Sequence, residues 1–170
     1  MTRLIWILPL AAMAGCTDGD VPAAAVHGAP PHAAERFVRV DEGIVRDTRS
    51  DLLWTAQDSS VELRWSAADE RCHQLVRGSS IDTGATGWRL PTSEELAAIY
   101  DESQVQACGA DRCRLDPAID LTSPYQWSST ARGKDGDRRV YVDFRHGSEL
   151  APLLRPALTR GALCTREDAP

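Results

Sequence analysis

The sequence predicts an α+β fold: two short helices packed on small antiparallel sheets, with long irregular loops and disulfide staples. Three observations predict it. Gly87-Trp88-Arg89-Leu90-Pro91-Thr92-Ser93-Glu94-Glu95-Leu96 compresses a strand, a sharp turn and a helix start into ten residues. Arg138 to Arg145 alternates strictly between apolar and polar residues, the period of a half-buried strand. Cys72, Cys108, Cys113 and Cys164 form an even set in a chain that carries an export signal, where disulfides persist.

Residues 1–15 read as a bacterial lipoprotein signal peptide. Arg3 supplies the positive start, and Leu4 to Ala14 is an apolar run too short to span a bilayer. Met13-Ala14-Gly15-Cys16 then resembles a lipobox, which would make Cys16 the lipidated N-terminus of the mature chain. Thr17 rather than Asp follows it, a pattern that points to the outer membrane. Residues 16–35 are Ala, Pro, Gly, His and Asp with little apolar periodicity, so they read as a flexible tether. His27 and His32 in it are read as solvated, not as a metal site.

The folded domain is expected over 36–167, with 168–170 as a tail. Phe37, Val38 and Val40, then Ile44-Val45, form an N-terminal hairpin around Asp41-Glu42-Gly43, and Leu52-Leu53-Trp54 adds a third strand. Trp65 opens the first helix, with Ser66 as its N-cap and Asp69 at the capping-box position. Trp65, Ala68, Cys72, Leu75 and Val76 make its apolar stripe, and Gly78 suits its C-cap. Trp88-Arg89-Leu90 is read as a strand ended by Pro91. Thr92 and Glu95 form a capping box for the second helix, whose Leu96 is expected to share a core with Trp88. Trp88 is assigned to that core rather than to a sugar-stacking platform, because large aromatics dominate core energetics. Asp101 to Pro124 reads as loop. Tyr125 to Thr130 is a strand, Gly133 to Asp137 a hairpin tip, and Ala162 to Arg166 a last strand. On the alternating strand Val140, Val142 and Phe144 take one face, and Arg139, Tyr141, Asp143 and Arg145 the other.

The formal net charge is −6; removing Arg3 with the signal leaves 18 basic against 25 acidic residues, or −7. An acidic domain makes a poor nucleic-acid binder, since backbone contacts need a basic surface. Lys134 is the only lysine, so nearly all positive charge is arginine, the better grip for carboxylate or sulfate. Four cysteines allow three pairings. Cys108–Cys113, closing a short loop, and Cys72–Cys164, tying the first helix to the last strand, are favoured, with the other pairings open. Neither pair has histidine at zinc spacing. Asp135-x-Asp137 begins like a calcium loop but lacks the distal glutamate. No metal or cofactor is therefore expected. Gly-x-Ser-x-Gly, the phosphate loop and His-Glu-x-x-His are absent, and His146 with Ser148 has no third partner, so no catalytic residue is assigned.

Thr48-x-x-x-Leu52-x-Trp54, Trp65-x-x-Ala68 with Cys72, Trp88-Arg89-Leu90-Pro91-Thr92-x-x-Glu95-Leu96, Trp127-Ser128-Ser129-Thr130, and Cys164 with Arg166 resemble the Lcl C-terminal domain family, in order and over about 37–167. The resemblance implies a C-type-lectin-like fold, also shared by sulfatase-modifying enzymes, and a Cys72–Cys164 bridge. It also implies an adhesin-type role, the founding member being regarded as a binder of sulfated glycans. The chain departs from the family at Leu163-Cys164-Thr165-Arg166, and it lacks the Glu-Pro-Asn, Gln-Pro-Asp and Trp-Asn-Asp triplets, so calcium-mediated sugar binding is not carried over.

Three functions follow as expectations. The first is a non-enzymatic ligand-binding or adhesion domain held to the envelope by lipid, for a glycan or protein ligand. Its contacts would be Lys134, Arg138, Arg139, Tyr141 and Arg145, set against the bland reading that this face is merely solvated or that Arg139 and Arg145 pair with Asp143. The second is a structural or assembly subunit of an envelope complex. The third, an enzyme related to sulfatase-modifying factors, would need reactive thiols at Cys108 and Cys113. Trp54, Trp88, Arg89, Pro91, Thr92, Glu95 and Trp127 are assigned to folding, with Arg89 expected to pair with Glu95 or to bind carbonyls.

Overall fold

The computed structural model describes residues 35–75 and 87–168. The signal peptide, Cys16, all but the end of the tether, Val76, Gly78 and most of the loop that follows lie outside the described residues. Strands β1 (Phe37–Asp41), β2 (Ile44–Asp47) and β3 (Leu52–Thr55) lead into helix α1 (Trp65–Gln74) and helix α2 (Ser93–Ile99). Strands β4 (Gln106–Cys108), β5 (Asp111–Cys113), β6 (Tyr125–Arg132), β7 (Arg138–Asp143), β8 (Ser148–Leu150) and β9 (Thr165–Glu167) follow. They form three antiparallel sheets in the orders β1-β2-β3-β9, β4-β5 and β6-β7-β8. Among the described residues no helix is long and apolar enough to cross a membrane.

Two hydrophobic clusters hold these elements, and strand alternation divides residues between them. Val45 and Trp54 enter one cluster, with Leu96, Ile99, Val142 and Phe144. Their chain neighbours Ile44 and Leu53 enter the other, with Trp88, Trp127, Tyr141, Cys72 and Cys164. Trp88 and Leu96 therefore do not share a core. Pro91 and Thr92 turn the chain between them, so the indole packs on one side and α2 on the other. Trp54, Trp88 and Trp127 are all fully buried.

The local signals at α2 are realised. Thr92 Oγ1 accepts from the Glu95 N–H at 3.1 Å, and the Glu95 carboxylate accepts from the Thr92 N–H at 2.7 Å. Arg89 grips the same carboxylate with two nitrogens, at 2.7 and 2.8 Å. Trp88-Arg89-Leu90 is not a strand, however. It makes a single bridge, Arg89 to Thr165, because the turn at Pro91 leaves no length for a ladder. At α1 the N-cap is Arg64, in an extended conformation with no side-chain cap, rather than Ser66, which already lies within the helix. The stretch before Pro124 holds the β4–β5 hairpin, too short to show a period. The last strand begins at Thr165.

Both favoured disulfides are formed, Cys72–Cys164 and Cys108–Cys113. One buried carboxylate does similar cross-linking work without a covalent bond. Asp58 accepts from the N–H groups of Ser60, Thr122 and Ser123, from the Thr122 hydroxyl and from the Gln126 amide. Five donors satisfy the oxygens of a side chain that water barely reaches. They fix the start of β6 against the segment that leads to α1.

Candidate functional site

Alternation on β7 sends Arg139, Tyr141 and Asp143 to one face, and Arg145 follows just beyond the strand. This is the face the sequence marked, but it is not bare. Trp65 from α1, Tyr125 and Trp127 from β6 and Arg160 from the irregular segment after β8 lie against it.

Arginines and rings alternate along the face. The Arg139 guanidinium sits 3.9 Å from the centre of the Trp65 ring, and Trp65 Nε1 donates to Ser128 O at 2.8 Å. Tyr141 meets Trp127 and Tyr125 edge-on, with centroids 5.8 and 5.6 Å apart. Arg160 lies 4.5 Å from the Tyr141 ring and 4.7 Å from the Tyr125 ring, and Arg145 lies 4.8 Å from Tyr125. Each is within the range at which a guanidinium is attracted to a ring face.

The three arginines differ in what else holds them. Arg145 donates to Asp143 from Nε at 3.0 Å and Nη2 at 2.8 Å, donates to the Tyr125 hydroxyl, and lies 3.6 Å from Asp111. Burial works against the Asp143 charge. The hydrogen bonds and charge of Arg145 outweigh it and hold that carboxyl below its ordinary range. The same contact with Asp143 drives the Arg145 guanidinium further up. Arg139 and Arg160 make no ion pair among the described residues; the Arg160 side chain donates to the Thr159 carbonyl, at 2.6 Å. Both are half-exposed. Pairing with Asp143 thus accounts for Arg145 and leaves Arg139 free of a carboxylate.

The structure does not gather the five residues named from sequence. Tyr141 is 7% exposed and belongs to the core. Arg138 points to the opposite face by the same alternation, bridges Leu153 and donates to the Ala151 carbonyl at 3.1 Å. Lys134 is exposed in the hairpin tip, where Asp135 takes a positive φ. Arg139 and Arg145 remain. Trp65, Tyr125 and Arg160 were missed as site residues: Trp65 read as helix stripe, Tyr125 as strand, and Arg160 lies in a Pro-punctuated stretch with no period.

Two clefts flank the face. One, of about 330 Å³, lies beside Tyr125 and is lined by Glu62, Asp111 and Ser123 among others. The other, of about 280 Å³, lies beside Trp65, between Arg64, Ser66, Leu154, Arg155, Pro156 and Leu158. Among the described residues no group of three His, Cys, Asp or Glu side chains is placed to hold a metal ion, and all four cysteines are bridged. What the arrangement offers chemically is stacked positive charge beside aromatic edges, suited to holding an anion.

No curated protein and no solved structure matches the chain. A sequence model does: it covers residues 43–153, which take in Trp54, α1, the Trp88-to-Leu96 turn, β6 and β7, although Arg160 and Cys164 fall beyond it. With that match over most of its length, the chain belongs to the Lcl C-terminal domain family.

Proposed function

We propose that this chain is an envelope lipoprotein, anchored through lipid on Cys16, whose domain binds an anionic ligand without transforming it. The ligand class is a sulfated or carboxylated glycan, or an acidic protein surface. One observation carries the reading: in an acidic chain, Arg139 and Arg160 are held on aromatic rings with no carboxylate partner among the described residues. Stacking presets a guanidinium and leaves its outer edge for a bidentate anion. The C-type-lectin-like fold belongs to this proposal, and the bridge from the first helix to the end of the chain supports it.

Glycan arrays and pull-downs with the purified chain test the reading. Sulfated or uronic-acid glycans should be retained, release should follow rising salt, and Arg160→Ala should weaken retention by about tenfold, one lost charge-assisted contact. Silence in both assays would sink it. Metabolic labelling with a fatty-acid analogue tests the anchor: Cys16→Ala should remain unlabelled.

A second reading, an assembly subunit of an envelope complex, is favoured by a different feature. Leu150, Leu153 and Leu154 stand 40–46% exposed within five residues of chain.

A further inference from the structure

We infer that the cleft beside Trp65 is a docking site for a peptide segment of a partner protein, one that presents an aliphatic side chain flanked by carboxylates. The inference deepens the binding-domain reading by naming a protein partner, and it draws on the cleft and its rim rather than on Arg160 and Tyr125.

Size and lining set the anchor. At about 280 Å³ the cleft lies at the lower edge of small-molecule sites and accommodates a side chain or two. Its walls are largely apolar: Trp65, Leu154, Pro156 and Leu158. Leu154 and the adjacent Leu153 are 46% and 45% exposed. Neighbouring exposed leucines on a folded domain mark a contact surface more readily than scattered ones.

The walls are fixed before anything arrives. Leu153 bridges Arg138, the Leu154 N–H donates to the Asp137 carbonyl at 3.1 Å, and the Leu158 N–H donates to the Arg155 carbonyl at 3.0 Å. Beyond it, Arg160 and Leu63 exchange two backbone bonds. On the opposite wall Trp65 is held by Ser128 O on its edge and by Arg139 on its ring. A cleft tied on both sides loses little freedom on binding.

Charge sets the flanks. Arg64 and Arg155 stand exposed at the rim, and neither makes an ion pair or a side-chain hydrogen bond among the described residues. Arg139 adds a third positive charge behind the ring. The first turn of α1 carries no acid to offset them, and Glu62 is turned away toward the Ser123 and Thr159 hydroxyls. A basic rim around an apolar hollow repels basic segments and steers acidic ones in. An anionic bilayer shares that charge preference, but a flat lipid surface would leave the hollow unfilled. A peptide side chain fills it.

The test uses the purified full chain and fluorescein-labelled peptides that alternate leucine with glutamate, read by anisotropy. Controls replace glutamate by lysine, or leucine by serine. Only the leucine–glutamate peptide should bind. Arg64→Glu with Arg155→Glu, and separately Leu154→Ser, should weaken it by at least about tenfold, as loss of a central anchor does. These residues are exposed, so melting curves should stay at the parent value. Arg160→Ala should leave peptide binding unchanged even where it weakens glycan retention, which separates failure of this site from failure of the anion face. Absence of peptide binding, equal binding of the lysine peptide, or displacement of the peptide by phosphatidylglycerol vesicles would each overturn the inference.

Discussion

At the scale of single residues, Arg89, Thr92 and Glu95 form a closed set. Glu95 accepts from the Thr92 N–H and from two Arg89 nitrogens, so one side chain caps a helix and clamps the turn before it. Arg89→Ala should cost about 1.5–3 kcal/mol, the range for hydrogen bonds to charged groups, and lower the melting temperature by several degrees. An unchanged curve would refute the structural assignment. The pair also fixes a sign for pH. Hydrogen bonding from Arg89, opposed by burial, holds the Glu95 carboxyl below its ordinary range. A lowered folded value means stability is complete above the ordinary glutamate value of about 4.3, and is lost as pH falls through the folded value. Asp47 acts in the same direction: burial raises its carboxyl, but the hydrogen bonds from Arg36, Arg49 and Ser50 and the Arg36 charge together outweigh burial and hold it below its ordinary range. Glu95→Gln should therefore flatten acid unfolding, measured as melting temperature against pH below about 4.5. Close approach supplies a further residue-scale prediction. A Cβ on Gly161 would overlap the amide of Gln126, which is pinned by Asp58 and the Ser123 carbonyl. Gly161→Ala should cost about 1–3 kcal/mol by overpacking, seen in a denaturant melt. The Thr92–Glu95 box was readable in the sequence because its members lie within one helical turn. The role of Gly161 was not, since its neighbour comes from a distant strand.

At the scale of elements, legibility followed length and period. The β7 alternation was read in the right phase, and Val140, Val142 and Phe144 are buried as that phase requires. The error was to treat the other face as wet. Tyr141 and Asp143 are buried too: Tyr125, Trp127 and Arg160 lie against the Tyr141 ring and Arg145 grips Asp143, and a strand's own period says nothing about such neighbours. The β4–β5 hairpin went unread for the opposite reason. Its strands have three residues each, and what specifies it is Gly109 at positive φ between two cysteines that then bond. The hairpin also carries Asp111 to within 3.6 Å of Arg145. Replacing Cys108 and Cys113 together by serine should cost about 2 kcal/mol in the chain-entropy model for so short a loop. The loss should be local: faster amide exchange across 106–113, with β6 and β7 unaffected. Uniform loss of protection over the whole domain would contradict that placement.

At the scale of the molecule, the last part of the chain closes the domain. The family match stops at residue 153, yet the residues after it contribute to both cores: Leu163 to one, Ala162 and Cys164 to the other. β9 is added at the β3 edge of the first sheet, the Thr165 hydroxyl donates to Leu53 O at 2.8 Å, and Arg89 and Thr165 exchange backbone bonds. Cys72 and Cys164 join that terminal segment to α1 across a separation of 92 residues. The bond sits among Trp88, Trp127 and Leu90 in a buried cluster, so breaking it removes a long-loop constraint and leaves two small polarizable groups in a packed space. The constraint alone is worth about 4–5 kcal/mol in the chain-entropy model, twice or more the short-loop bond. Cys72→Ala with Cys164→Ala should therefore shift the urea midpoint much further than the Cys108 and Cys113 serine pair, with exchange protection falling together in α1, β3 and β9. A smaller shift than the short-loop pair produces would mean that backbone pairing at β9, not the covalent tie, joins the two ends.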